Sequence, residues 1–366
     1  MMITILSKKI KYENCLYILL CLIGISYGIY IISNNLTGMR IFASNITGYC
    51  LISIMSFLLI SEIILLFIKK FYMVKRIFYL IVLIITIFLF IDIFIFGIIR
   101  SYITVINMEK RPTVLDPLNI RLVYICIKNG KAILLGVWTT IWLSMCGTII
   151  GLCLGLLFIT LRSLEVSPRD NEFVAFMKKI ACGFVKTYVT VFRGTPMMVQ
   201  AIIIYYFLPG ILADLFHIDQ EILNNIFTVS ISGLITVSLN TTAYLTEVLR
   251  GGIDALHSGQ MEAARSLGMT KTKAMIHIIL PQGIKNALPS ICNEFIINIK
   301  DTSVLSVISV MDLFFVIDSI NGKNASQDGI FIAGIIYLCL TYGISKLLIL
   351  FEKKMNLVSK PLPSSN

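Results

Sequence analysis

Eight apolar runs recur along the chain, at residues 15–33, 50–68, 77–99, 131–161, 181–208, 226–249, 291–317 and 329–351. Each is long enough to cross a hydrocarbon core of roughly 30 Å as a helix. A bilayer offers no water to backbone N–H and C=O groups, so a spanning segment must satisfy them internally, as a helix does. The expectation is an all-α integral membrane protein with about eight transmembrane helices. At 57% hydrophobic and 14% charged residues, the composition excludes an ordinary soluble domain. The first run is too long for a signal-peptide core and lacks an A-x-A cleavage pattern, so it reads as a retained helix.

The net charge of +11 does not point to nucleic acid, because no basic domain carries it. Lys8, Lys9 and Lys11, the cluster Lys69, Lys70, Lys75 and Arg76, and Arg162, Arg169, Lys178 and Lys179 all fall in short segments beside apolar runs. Positive-inside placement accounts for them and puts both termini in the cytoplasm of a multi-pass plasma-membrane protein. Residues 209–225, with Asp214, Asp219 and Glu221 and no Lys or Arg, suit the outer face, as does the short loop 318–328. Residues 100–130 go outside on this topology although Lys and Arg outnumber acids there. Arg111-Pro112 and Asp116-Pro117 argue against a long helix through that segment.

The nine cysteines show no C-x-x-C pair, and His217, His257 and His277 lie far apart. No metal site or catalytic cluster is expected, and a membrane-embedded enzyme is disfavoured.

Some polar groups interrupt the apolar runs. Arg193-Gly194-Thr195-Pro196 breaks the fifth. Asn240, Thr241, Thr242 and Glu247 lie in the sixth, and Lys300-Asp301-Thr302-Ser303 in the seventh. Such groups are costly in lipid unless a broken helix, a polar cavity or a partner accommodates them. Arg193, Asn240, Thr241, Thr242, Glu247, Lys300, Asp301 and Thr302 are therefore candidates for a translocation path or gate. Hydrogen bonds between helices serve Asn240 and the threonines equally well, and an ion pair serves Lys300 and Asp301. Gly147, Gly151 and Gly155 recur every four residues and mark one face for close helix approach.

The longest polar, helix-patterned stretch is Gly259–Pro289. Glu262, Ala263 and Ala264 fall on a short helix that Gly268 can end. Thr270 or Thr272 can cap a second helix, Lys273 to Leu280, which Pro281 breaks for want of an N–H. This predicts a helix–turn–helix at the membrane surface. The spacing of Glu262-Ala263-Ala264, Gly268, Ile278, Leu280 and Pro281 resembles the EAA loop of ABC-transporter membrane subunits. Val191-Phe192-Arg193-Gly194-Thr195-Pro196 with Gln200, Ala243-Tyr244-Leu245-Thr246-Glu247, Arg250-Gly251-Gly252-Ile253, Gly259-Gln260 and Lys300-Asp301-Thr302-Ser303 resemble segments of polar amino-acid permeases of the histidine/glutamine type.

The resemblance covers residues 131–352 and implies a five-helix permease core with a cytoplasmic coupling loop, 251–289. Three further helices and an extracytoplasmic segment, 1–130, precede it, and a cytoplasmic tail, 353–366, follows. It implies coupling through Gly259, Glu262, Ala263, Ala264, Gly268, Ile278, Leu280 and Pro281, docked on a separate ATPase. No G-x-x-x-x-G-K-[ST] phosphate loop occurs in the sequence, so two ATPase subunits are expected in trans, using ATP and Mg that this chain does not bind. A second permease, identical or related, and an extracellular amino-acid-binding protein complete the implied assembly. An ion-gradient-driven secondary amino acid transporter would suit the intramembrane charges, but its inverted repeats are not evident between the two halves.

Overall fold

The computed structural model describes residues 97–354, except 114, 165 and 167–169, together with a few isolated positions before 97. The runs at 15–33, 50–68 and 77–99 lie outside the described residues, except that the end of the third opens α1 (Gly97–Ile106). The chain packs as two compact units that divide between Lys128 and Asn129. In the first, the Asn119 amide donates to the Ser101 hydroxyl at 2.7 Å.

A 45-residue helix, α2 (Leu118–Arg162), begins directly after Asp116-Pro117. The expectation of no long helix within residues 100–130 is thereby corrected. Pro117 stands just ahead of the helix, where a missing N–H costs nothing, and its carbonyl accepts from Ile120 and Arg121. Next, α3 (Glu172–Gly194) starts ahead of the fifth apolar run, taking in Lys178 and Lys179, and ends before Thr195-Pro196. The fifth apolar run is thus two helices, because Pro196 cannot continue α3. The second opens as α4 (Met197–Ile202) and passes through a π-helical turn, Ile203–Phe207, into α5 (Leu208–Phe216).

Residues 209–225 are accordingly not a plain loop. Beyond α5, Asp219 caps α6 (Gln220–Ile226) by accepting from the Glu221 N–H at 2.9 Å. After Thr228, α7 (Val229–Asp254) sets off at 68° to α6. The short α8 (Gly259–Ser266) and α9 (Lys271–Ala274) follow. A π-helical turn, Met275–Ile279, then leads into α10 (Leu280–Asp301). A 3₁₀ stretch, Thr302–Ile308, precedes a 51° bend into α11 (Leu313–Asn324), and α12 (Gly329–Lys354) ends the described chain. The expected outer loop 318–328 shrinks to a turn closed by Ala325 at φ 50° and by the Asn321 side-chain carbonyl, which accepts from Gly329 N–H at 2.9 Å.

Pro209 and Pro281 share one solution. Each enters the first turn of a helix just after a π-helical turn, in which the preceding N–H reaches back five residues, Leu208 to Ile203 and Leu280 to Met275. The wider turn displaces the carbonyl ladder that a proline ring would otherwise strike. Neither proline therefore stops the chain, which corrects the expectation that Pro281 breaks its helix.

Among the described residues no strand occurs. Leu118–Arg162, Met197–Phe216 and Gly329–Leu350 are each long and apolar enough to cross a bilayer, and the number reaches five if each bent helix pair is one span. The centre is α7. A Cβ placed on Gly147 would stand 2.4 Å from Val237 Cγ1, on Gly151 2.9 Å from Thr241 Cβ, and on Gly155 3.4 Å from Leu245 Cβ. The contact advances by four on both helices, so α2 and α7 run parallel with their backbones nearly touching. Buried Leu143, Ala201, Val237, Leu305 and Ile308 form one apolar cluster along this seam, and Ile159, Leu245, Leu249, Ala287 and Ile291 another. At the bend before α11, fully buried Asp312 accepts from Phe315 N–H at 2.9 Å and from the Tyr337 hydroxyl, while Thr140 accepts from Leu313 N–H.

Candidate functional site

The segment 259–282 folds as a compact loop whose turn depends on one glycine. Gly268 has φ +83°, a left-handed conformation, and follows Leu267, the C-cap of α8. The Met269 N–H bonds Ala264 O, and the Gly268 N–H bonds Arg265 O. This is the paired closure that a left-handed residue allows at a helix C-terminus. Thr270, rather than Thr272, caps the next helix by accepting from Lys273 N–H at 3.3 Å, so that helix begins at Lys271 and not at Lys273. Ala264 is buried against the loop, whereas Gly259, Glu262 and Ala263 are exposed. Leu267, at the tip, is 84% exposed. Ile278 and Leu280 are half-buried and Pro281 exposed. Gln282 donates to Ile278 O at 3.0 Å and to the Gln260 side chain at 3.5 Å, tying the two arms together.

Polar groups inside the bundle mostly find partners on other helices. Asn298 of α10 donates to Thr148 of α2 at 2.8 Å and to Thr241 of α7 at 3.0 Å, joining three helices in a buried network. Asn240 donates to the side-chain oxygen of Gln200 at 3.0 Å. The Gln200 amide in turn faces Phe192 O, Thr195 O and Thr195 Oγ1 at 2.9–3.0 Å. Gln200 thus serves carbonyls freed at the Arg193–Pro196 break, so the break leaves them bonded inside the bundle. Thr242 is fully buried and bonds Ser238 O on its own helix, as does Thr302 to Ile299 O. Lys300 and Asp301 are exposed at the end of α10.

Replacing Asn298 with Leu keeps the volume and removes the three-helix network. The expected result is a loss of about 1–2 kcal/mol of bundle stability, read as a lower melting midpoint in mild detergent. An unchanged midpoint would show that the network carries no stability.

The sequence reading passed over Glu294. This carboxylate is 8% exposed on α10 and makes no hydrogen bond to a described residue. Asp301, two turns further along the same helix, and Arg193 are the charged groups that act on it. Asn298 carries no local signal of its role, since Thr241 and Thr148 lie 57 and 150 residues away, and only the fold joins Gln200, beside the Arg193–Pro196 break, to Asn240, 40 residues on.

Glu247, by contrast, sits among arginines. Its Oε1 lies 2.5 Å from Arg162 Nη1, and its Oε2 lies 2.8 Å from Arg250 Nη2 and 4.0 Å from Arg193 Nη1. Arg250 also pairs with Asp254 at 2.8 Å, and the Arg193 guanidinium lies 5.3 Å from the Tyr244 ring centroid. Just beyond, α7 and α10 cross at a pair of glycines. A Cβ on Gly252 would stand 2.5 Å from Gly283 O, and one on Gly283 2.6 Å from Ile253 Cγ1.

Comparison with known proteins identifies the family. The family described as "Binding-protein-dependent transport system inner membrane component" matches residues 172–356. The putative glutamine transport system permease protein GlnP of Rickettsia typhi is 35% identical over 222 residues, which cover 60% of this chain and 91% of that protein. Glutamine transport system permease protein GlnP of Escherichia coli K12 is 32% identical over 224 residues, covering 61% and 92%. The probable amino-acid permease protein YxeN of Bacillus subtilis is 38% identical over 177 residues, covering 48% and 74%. Among solved structures, that of an amino acid ABC transporter with histidines aligns with a TM-score of 0.52 at 32% identity, over 62% of this chain and 96% of that one. The motif resemblance, the helical architecture and these relatives agree, and the chain belongs to the family of binding-protein-dependent transport system inner membrane components, the membrane permeases of ABC transporters.

Proposed function

We propose that this chain is the permease subunit of an importer for polar amino acids, driven by separate ATPase subunits. The observation that carries the reading is the loop 259–282. It is a glycine-closed turn that leaves Glu262, Ala263 and Leu267 exposed. A loop built this way suits insertion into a groove on a partner, and the names of the relatives supply the class of solute.

Two ATPase subunits bind in the cytoplasm, one on each permease of a pair, and an extracellular binding protein delivers the amino acid. ATP and Mg act in the ATPases. Closure of the ATPase pair draws the two loops together, and the helices re-open toward the other side. Gly259, Glu262, Ala263, Ala264, Gly268, Ile278, Leu280 and Pro281 form the coupling element, with both chain termini on the same side. A zwitterionic substrate carries an ammonium and a carboxylate. Asp301 and Lys300, with Glu294 two turns before, offer complementary charges along α10. Thr302, just after α10, and the Asn240–Thr242 stretch of α7 complete the path, with Arg193 as a gate residue.

An affinity-tagged chain purified in mild detergent, with every stoichiometric partner identified by mass spectrometry, tests the assignment. We expect a partner containing a phosphate loop, retained by the unaltered chain and lost when Glu262→Arg reverses the charge on the loop. A chain that purifies alone, yet moves amino acids down an ion gradient in liposomes, is a secondary transporter and the importer reading is wrong.

A further inference from the structure

Glu247 lies seven residues before the end of α7, and α7 runs directly toward the loop at Gly259. Its two oxygens are divided between neighbours. Oε1 takes Arg162, the last residue of α2, and Oε2 takes Arg250, one turn along α7. Arg193, in the last turn of α3, stands at 4.0 Å. One carboxylate therefore ties the ends of α2 and α3 to the last turns of α7.

The burial is graded. The Glu247 and Arg162 side chains are 17% and 22% exposed, while those of Arg193 and Arg250 are 45% and 44% exposed. An exposed ion pair contributes little, because water screens it. A half-buried carboxylate shared by several guanidiniums is held more firmly, and removing it leaves the arginines to repel one another at short range. Asp254 is already paired with Arg250, and among the described residues Glu247 is the carboxylate within 4.0 Å of Arg162 and of Arg193.

We propose that Glu247 is a positioning residue for energy coupling, an ion-pair latch that binds the ends of α2 and α3 to the last turns of α7 so that movement of the coupling loop is passed to the bundle. This rests on the importer reading above. The glycine crossing of α7 on α10 at Gly252 and Gly283 lies between the latch and the loop, and its backbone contact leaves little room for slippage. Packing does not depend on the latch, since the apolar cluster of Ile159, Leu245, Leu249, Ala287 and Ile291 holds α2, α7 and α10 together without it. Loss of the carboxylate is therefore expected to loosen the helix ends while the bundle stays folded.

The experiment uses the full chain with its co-purified ATPase. It compares uptake by whole cells of a radiolabelled mixture of the protein amino acids with ATP hydrolysis and melting of the purified complex. For Glu247→Gln we expect hydrolysis and melting close to the unaltered complex, and uptake lowered by about tenfold. Arg162→Gln should behave the same way. Arg162→Lys should be largely tolerated, because Arg162 reaches Glu247 through a single nitrogen and a lysine preserves the charge. Unchanged uptake in Glu247→Gln overturns the proposal. So does a fall of uptake, hydrolysis and melting midpoint together, which makes Glu247 a fold residue only. An unaltered chain that carries no ATPase refutes the importer reading, and the latch with it, before any variant is compared.

Discussion

A Gly252→Val chain is expected to lose the folded bundle, with a destabilisation of about 3 kcal/mol and no measurable uptake. The reason is the identity of the atoms that the new side chain meets. The new Cβ would stand 2.5 Å from Gly283 O, 2.8 Å from Ala287 Cβ and 3.1 Å from Ala287 N. Two of these are backbone atoms of α10 and cannot rotate aside, so the helices must separate along a contact that also seats Leu249 and Ala287. The reciprocal change is milder. A Cβ on Gly283 meets Ile253 Cγ1 at 2.6 Å and the Ile253 backbone only at 3.3–3.4 Å, so Gly283→Ala should destabilise too, but by less, because its closest contact is a side-chain carbon. Gly251, the adjacent glycine, has nothing within 4 Å of its Cβ position and provides the control. Size-exclusion profiles and melting in detergent measure all three, and a Gly252→Val protein that melts with the unaltered chain would show that the crossing is not tight.

A second large effect is expected at Gly268, with the opposite signature. Nothing lies within 4 Å of its Cβ position, so a side chain there causes no clash. Its φ of +83° is the obstacle, since a left-handed backbone costs an L-residue about 1–2 kcal/mol, and a β-branched one more. Gly268→Val should redirect the loop between α8 and α9 and leave the membrane helices intact. Protein level and melting should hold, while uptake falls by about tenfold because the loop no longer meets its partner correctly. Gly268→Asn should retain more activity, because asparagine visits the left-handed region more readily. Normal uptake by Gly268→Val would remove the left-handed turn from the coupling mechanism.

The two glycines differ in how they were read. Gly268 was legible as a helix end because its signal is local: a glycine after a short alanine-rich helix, then a capping threonine. Gly252 was visible as part of Arg250-Gly251-Gly252-Ile253, yet nothing nearby in sequence distinguishes it from Gly251. Only the approach of Gly283, across the loop, does so. Gly147, Gly151 and Gly155 stand between these cases. Their spacing predicted a close helix contact, and the fold identified α7 as the partner.

Pattern alone determined the helical membrane architecture, because apolar length and backbone hydrogen bonding in lipid leave few alternatives. It also located the loop at Gly259–Pro289 and the break at Arg193–Pro196, where proline and glycine act through the chain next to them. Tertiary structure decided the rest. Pro209 and Pro281 pass into helices because a π-helical turn precedes each, and an N–H that reaches back five residues leaves no mark on composition. Thr241 and Asn240 found their partners in Asn298 and Gln200, and Glu247 found Arg162, 85 residues away. A polar side chain within an apolar helix announces that it needs a partner, and only the packing of that helix against its neighbours decides which one it meets.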